Sequence, residues 1–266
     1  MKKLLKWILA IIVLIYLLIC GWFYLGQEQL LFKTVKQKQD HVFKFEYPFE
    51  EKYIPVKDNK KLHGVLFKAK ESKGLILWLP GGRGMIDSIG LNAPSYTNLD
   101  YDLFVINYRG FGKSEGKITS EGQFTNDMQA VYDFLKKEYK ENNIVVFGYS
   151  LGTGPAAALA AANNPKKLIL RAPYYSMNEE AAGLFYYIPT TLLLKYKFST
   201  YEHLKKVQCP VVIFHGDADK KIAVEKSNRL KEYLKPTDEL IVLKGQEHNN
   251  FEKNSEYMQE LSRVLK

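Results

Sequence analysis

Ile144-Val145-Val146-Phe147-Gly148-Tyr149-Ser150-Leu151-Gly152, running into an alanine-rich segment that ends at Ala162, is the stretch that decides the fold. Ile144 to Phe147 is a short, wholly apolar run of the kind that forms a buried strand, and Leu151 to Ala162 has the Ala and Leu content of a helix. A Gly-x-Ser-x-Gly between strand and helix is a nucleophile elbow. The turn is so sharp that the serine is held in a strained conformation with its hydroxyl thrust outward. Its neighbours Gly148 and Gly152 must then be free of side chains to avoid collision. The helix start also aims unpaired backbone N–H groups at the reacting centre.

The same pattern occurs a second time, at Gly112-Lys113-Ser114-Glu115-Gly116. Ser114 follows the loop Arg109-Gly110-Phe111-Gly112 and leads into polar Lys117 to Ser120, with no strand before it and no immediate helix after it. Context therefore selects Ser150 as nucleophile and leaves Ser114 as a loop residue.

The chain has 266 residues, 46% of them hydrophobic and 25% charged, which suits one domain with a substantial core. The formal charge is +9, yet lysines are spread along the whole chain and no Lys/Arg block carries interleaved aromatics. A generally basic surface near anionic lipid fits this better than nucleic-acid binding.

Trp7 to Leu25 is nineteen residues without a charge, enough to cross a bilayer as a helix. Lys2, Lys3 and Lys6 precede it, and aromatic residues stand near both ends. A cleaved leader would have a shorter apolar core and a small-residue cleavage site. Ile19 before Cys20 is too bulky for a lipoprotein box. The reading is an uncleaved single-pass anchor over residues 1–26, with its N-terminus cytoplasmic and residues 27–266 on the outer, periplasmic or extracytoplasmic, face. Lys33, Lys36 and Lys38 on the far side weaken the charge asymmetry behind that orientation. Cys20 and Cys209 cannot plausibly meet, so no disulfide framework is expected.

After the anchor, Gln27 to Asp40 reads as a polar stalk. Strands are expected near 42–47, 52–56 and 62–68, and then, alternating with helical stretches, at 75–79, 103–107, 144–147, 168–170, 211–214 and 240–243. That alternation predicts an α/β fold with a mostly parallel sheet covered by helices on both faces. The strongest helix signal is Glu121 to Tyr139, capped by Thr119 or Ser120. An aromatic and Leu-rich insertion at about 174–208 sits where a small cap over the site would lie.

A serine hydroxyl needs a neighbouring base, and the base needs an orienting acid. Both are offered in the order Ser, Asp, His at the carboxyl ends of strands, where open α/β sheets bind ligands. His215-Gly216-Asp217-Ala218-Asp219 follows one strand and Gly245-Gln246-Glu247-His248-Asn249 the last. His248 is read as general base and then general acid, Asp219 as the acid that fixes its tautomer, and Asp217 as the rival acid. A plain exposed loop histidine is the bland alternative for His248. The oxyanion hole is assigned to the N–H groups of Leu151 and Gly82, the latter in the loop Pro80-Gly81-Gly82-Arg83-Gly84; the bland alternative there is a Gly-rich turn.

These motifs together make the sequence resemble the small membrane-anchored α/β-hydrolases of the serine-aminopeptidase-like group, related to eukaryotic α/β-hydrolase-domain membrane proteins. The likeness runs from about Gln27 to the C-terminus. It includes Asn107 to Gly116, which the resemblance makes a structural loop after the fourth strand. It also covers Ser150-Leu151-Gly152-Thr153-Gly154, His215-Gly216-x-x-Asp219 and Gly245-x-x-His248-Asn249. Two departures stand out: Pro80-Gly81-Gly82 replaces the group's usual His-Gly-Asn, and Asp217 stands where a neutral residue is usual.

The resemblance implies a serine hydrolase that cleaves carboxylic esters through an acyl-enzyme. A small-molecule or lipid-derived ester or thioester is the expected substrate class, with Phe185, Tyr186, Tyr187 and Leu192 to Leu194 favouring an apolar acyl chain. A peptidase of the serine-aminopeptidase type and a non-catalytic binding protein are the alternatives. A metal site on His215, Asp217 and Asp219 is disfavoured because those residues crowd one loop, so no metal and no cofactor is expected.

Overall fold

The computed structural model describes residues 1–266. It opens with a thirty-residue helix, α1 (Lys2–Leu31), that is apolar nearly all round. Only Phe23 and Gln27 on it are buried, while most of the large apolar side chains from Leu4 to Leu25 are open. A helix that exposes so much apolar surface is suited to lipid.

Eight strands form one sheet: β1 (Phe49–Val56), β2 (Lys60–Phe67), β3 (Gly74–Leu79), β4 (Tyr101–Ile106), β5 (Ile144–Tyr149), β6 (Lys167–Arg171), β7 (Val211–Gly216) and β8 (Glu239–Leu243). Their spatial order is β1-β2-β4-β3-β5-β6-β7-β8, antiparallel at β1, β2 and β4 and parallel from β4 through β3 to β8. β3, β4 and β5 are buried along nearly all of their length, as expected of strands covered on both faces.

The chain leaves β3 outward to β4 and then returns to lay β5 on β3's other side. The loops after β3 and β5 consequently diverge and open a crevice at the sheet's carboxyl edge, where such folds bind ligands. Short helices α2 (Ile86–Gly90) and α3 (Pro94–Thr97) lie between β3 and β4. α4 (Glu121–Leu135) and α5 (Thr153–Ala162) cover one face, together with much of α1's C-terminal end. The other face is covered by the C-terminal helix, the last of the chain, at Ser255–Leu265. Between β6 and β7 come α6 (Met177–Leu184), α7 (Thr190–Leu193) and α8 (Thr200–Leu204), and α9 (Glu225–Leu230) follows β7; the C-terminal helix is therefore α10.

Ser120 caps α4 by accepting from the Gln123 N–H, a bond of the kind worth about 1 kcal/mol. Under the crevice Trp78 and Phe147 stack with ring centroids 4.2 Å apart. Each is about 1% exposed or less, and burying one such side chain stabilises the fold by roughly 1.5–3 kcal/mol.

Three expectations are corrected. Residues 42–47 form no strand: Phe43, Phe45 and Tyr47 instead lay a row of rings on the sheet, with Phe45 5.0 Å from Phe67. α4 stops at Leu135 rather than Tyr139. Residues 27–40 are not a free stalk, because α1 continues without a break to Leu31, Phe32 is buried and Lys36 bridges Gly112.

Candidate active site

Ser150 sits at the junction of β5 and α5 with φ at +52°, a left-handed conformation that costs a non-glycine residue free energy. Packing imposes it. A Cβ on Gly152 would stand 2.1 Å from the Leu79 carbonyl oxygen, and one on Gly148 would stand 2.7 Å from the Ala156 Cβ. Nothing larger than glycine fits either position, so α5 can approach β3 and β5 closely enough to force the turn.

The turn presents Ser150 Oγ to His248 Nε2 at 3.1 Å. On the other side of the ring, His248 Nδ1–H donates to Asp219 Oδ2 at 2.6 Å, which fixes Nε2 as the acceptor facing the serine. Asp219 Oδ1 accepts from the N–H groups of Lys221 at 2.8 Å and Ile222 at 3.0 Å, so the carboxylate cannot swing away. Burial pushes the Asp219 pKa up, but hydrogen bonds from His215, His248 and the Ile222 N–H outweigh it and hold the group well below the usual carboxylate range. Of the two histidines His248 is the closer partner, since His215 Nε2 is 3.5 Å from Asp219 but 2.8 Å from the Ile222 carbonyl.

The rival residues are occupied elsewhere. Asp217 accepts from the Gly245 N–H at 2.6 Å and so shapes the turn before His248. Ser114 donates to the Asn107 carbonyl at 2.7 Å and accepts from the His63 N–H at 2.8 Å, which makes it a buried tie between loop and β2. The adjoining Arg109 grips Asp127 on α4 through Nε at 2.5 Å and a second nitrogen at 2.9 Å. His215, with one ring nitrogen on Ser227 and the other on the Ile222 carbonyl, is a satisfied core histidine. No cluster able to hold a metal ion is present.

The N–H groups of Leu151 and Gly82 donate to no backbone carbonyl. The loop carrying Gly82 is held at three points. The Tyr108 hydroxyl donates to the Pro80 carbonyl at 2.7 Å, Gly84 N–H to the Gly81 carbonyl at 2.9 Å, and Lys33 N–H to the Gly82 carbonyl at 3.0 Å. A Cβ on Gly81 would lie 3.3 Å from that of Ser150, so this loop passes directly over the serine.

Ser150 and His248 open into a cleft of about 510 Å³. Its lining is mixed, with Leu31, Met85 and Ile89 among the apolar groups, and includes Lys33, Arg83 and Lys221, none of which has an ion-pair partner. The only carboxylate in the lining, Glu252, is bound to Arg171 at 2.5 Å. No residue of the 174–208 insertion lines this cleft, which corrects the expectation that its aromatic and Leu side chains lie over the site. Phe185 packs on α1 instead, against Phe23 with centroids 5.2 Å apart, while Leu184, Tyr186, Tyr187 and Leu192 are open.

Residues 70–200 match the model of the family described as serine aminopeptidase, S33. The α/β hydrolase domain-containing protein aho-3 of Caenorhabditis elegans is 29% identical over 168 residues, 62% of this chain and 48% of that protein. Lysophosphatidylserine lipase ABHD12 of Mus musculus is 27% identical over 163 residues, 53% of this chain and 40% of that protein. The chain thus spans about half the length, or somewhat less, of these curated relatives. Esterase Pf2001 of Pyrococcus furiosus superposes with a TM-score of 0.69 over 88% of this chain and 97% of its own, at 18% identity, a likeness of fold. The chain has the α/β-hydrolase fold.

Two features of this site escape sequence reasoning. The Tyr149 hydroxyl lies 2.8 Å from the His248 carbonyl and 2.9 Å from Asn249 Oδ1, and burial pushes its pKa up to about 12, so it stays a donor. Its position as the variable residue of Gly-x-Ser-x-Gly carried no signal. The second is the wall contributed by Leu31 and Lys33 at the end of α1. Lys33 reaches Gly82 through its backbone, which no side-chain pattern announces.

Proposed function

We propose that the protein is a membrane-anchored serine hydrolase that cleaves a carboxylic ester bearing an anionic group. The observation that carries this reading is the continuous line from Ser150 Oγ through His248 to the buried Asp219 carboxylate. In this scheme Ser150 Oγ attacks the ester carbonyl carbon while His248 Nε2 takes its proton. The imidazolium, stabilised by Asp219, then protonates the departing alkoxide, leaving an acyl-Ser150. Water, deprotonated by His248, attacks that acyl group and releases the carboxylic acid and free serine. The N–H groups of Gly82 and Leu151 hold the oxyanion in both steps, each such donor contributing on the order of 10²–10³ in rate.

The free charges of Lys33, Arg83 and Lys221 support an anionic substrate, because a cleft lined by one sign of charge concentrates the opposite sign. The lysophosphatidylserine lipase among the relatives is named for an ester of that kind. An aminopeptidase needs a free carboxylate to receive the substrate ammonium, and Glu252 is already committed to Arg171. Leu31 in the cleft wall lies six residues past Leu25, roughly 9 Å along the helix axis, which puts the cleft within reach of lipid headgroups. The anchor is read as single-pass, with Lys2, Lys3 and Lys6 inside and the domain on the outer face.

Full-length protein in membranes should react with a fluorophosphonate probe and hydrolyse an anionic lysophospholipid faster than its neutral choline counterpart. Replacing Lys33, Arg83 and Lys221 by Gln should raise KM for the anionic substrate. Absence of labelling in folded protein would make it a binding protein, and equal turnover of the two substrates would remove the anionic assignment.

A further inference from the structure

The insertion between β6 and β7 carries an uncharged run, Leu184-Phe185-Tyr186-Tyr187-Ile188-Pro189-Thr190-Thr191-Leu192-Leu193-Leu194, that is spent neither on the cleft nor wholly on the core. Leu184, Tyr186, Tyr187 and Leu192 are each more than 70% exposed, a density of open large apolar groups that soluble surfaces avoid. This patch stands against α1. Phe185 packs edge-on against Phe23, and the Tyr16 hydroxyl donates to the Tyr187 carbonyl at 3.2 Å. The run ends in charge: Lys195 pairs with Glu28 at 3.0 Å and sits over the Tyr24 ring at 4.5 Å.

These contacts fix depth. Lys195, Glu28 and Tyr24 supply the charged and aromatic groups typical of a membrane–water boundary. Tyr16 is eight residues nearer the N-terminus of α1, roughly 12 Å along the axis, while half of a bilayer's hydrocarbon is about 15 Å thick. If α1 spans, the insertion beside it has nowhere to lie but among the acyl chains of the near leaflet. Most of its backbone donors are satisfied internally, those of Tyr186, Tyr187 and Thr191 excepted. The N–H groups of Phe185, Ile188, Thr190, Leu192, Leu193 and Leu194 are all bonded within the run or to Ala181, and the Tyr187 carbonyl is bonded to Tyr16.

We propose that the Leu184–Leu192 surface is a second membrane contact, inserted into the leaflet next to the catalytic domain and fastened to α1 by Phe185 and Tyr187. With two contacts the domain cannot swivel about its anchor, and the cleft is held at one orientation to the bilayer. The inference rests on the anchor reading of α1, independently of the reaction catalysed.

The test is spin-label accessibility of full-length protein in vesicles of phosphatidylethanolamine and phosphatidylglycerol, with Cys20→Ser and Cys209→Ala as background. Labels are placed at L192C, Y186C, I12C and K140C, each checked for folding by circular dichroism. Collision with oxygen should exceed collision with a nickel chelate at 12, 186 and 192, and the reverse should hold at 140. A lipid-exposed label at 12 with water-exposed labels at 186 and 192 would overturn the second contact and leave the anchor. Water exposure at 12 would overturn both. Labels at 186 and 192 shielded from both reagents, with spin–spin broadening, would assign the patch to a second copy of the chain and overturn the proposal.

Discussion

The Tyr149 hydroxyl lies 2.8 Å from the backbone carbonyl of His248, so the residue just before Ser150 fastens the loop that brings the imidazole to it. One side of the elbow therefore positions the other partner of the Ser150–His248 bond. Tyr149→Phe removes a hydrogen bond worth about 1 kcal/mol. Turnover of a soluble test ester should fall several-fold to about tenfold, with KM little changed and the thermal midpoint nearly intact. A larger loss of stability than of kcat would make the hydroxyl a folding contact only.

Ser150→Ala should abolish fluorophosphonate labelling while leaving the protein folded. Ser114→Ala should keep labelling and lose stability by roughly 1–3 kcal/mol, because the Asn107 carbonyl and His63 N–H are left without their shared partner. Urea titration of both variants checks the contrast, and labelling that survives in Ser150→Ala would reverse it.

Asp219→Asn should cost about four orders of magnitude in turnover, the loss seen when a triad carboxylate is neutralised. Asp217→Asn should cost far less, since its contact is with the Gly245 N–H. The Asp219 carboxyl titrates below its ordinary value, about 3.9 in an unfolded chain. Its charge therefore stabilises the fold fully above about pH 4, and that stabilisation is lost as pH falls toward the folded value. The gap in urea midpoint between wild type and Asp219→Asn should be steady from pH 7 to 5 and narrow below 4. A gap that stays constant down to pH 3 would contradict the depressed carboxyl.

At Gly82 two substitutions separate space from hydrogen bonding. A Cβ there would stand 2.8 Å from the Leu31 carbonyl oxygen, which belongs to helix backbone and cannot rotate aside. Gly82→Ala should displace the end of α1 and cut activity modestly. Gly82→Pro removes the N–H itself and should cost about 2.7–4 kcal/mol of transition-state stabilisation, at least a hundredfold in kcat. Near-normal turnover in a folded Gly82→Pro protein would move the second oxyanion donor to another residue, with Arg83 the first to test.

Alkaline carbonate washing should leave the protein in membranes, and protease added outside intact spheroplasts should digest it beyond Gln27. Release by carbonate would remove the anchor, and protection from outside protease would invert the orientation.

Much of this molecule was legible because its signals are local. The Gly148–Gly152 spacing, the apolar β5 and the loops after β7 and β8 announce themselves within a few residues each. Val42 to Tyr47 misled because Phe43, Phe45 and Tyr47 alternate as a strand does, yet they stack on the sheet without joining its ladder. Gln27 to Asp40 misleads because polar composition does not report solvent exposure. Gln27 is 1% exposed, its amide satisfied by the Leu193 carbonyl and the Lys195 N–H, partners more than 160 positions away. The apolar side chains of residues 174–208 were expected over the cleft and are absent from its lining, since composition reports that residues are apolar and not what covers them.

The Lys33–Gly82 bond ties the residues that follow α1 to the loop over Ser150. A fragment beginning at Gln27 keeps Ser150, Asp219 and His248 but only the last turn of α1, which has lost the helix before it and is held by ties such as those of Gln27 to Leu193 and Lys195. Loosening that turn would loosen the Gly82 loop through Lys33 while leaving the Ser150–His248–Asp219 line in place. On the anchor reading of α1, the membrane therefore bears on the shape of the cleft as well as on where the domain sits.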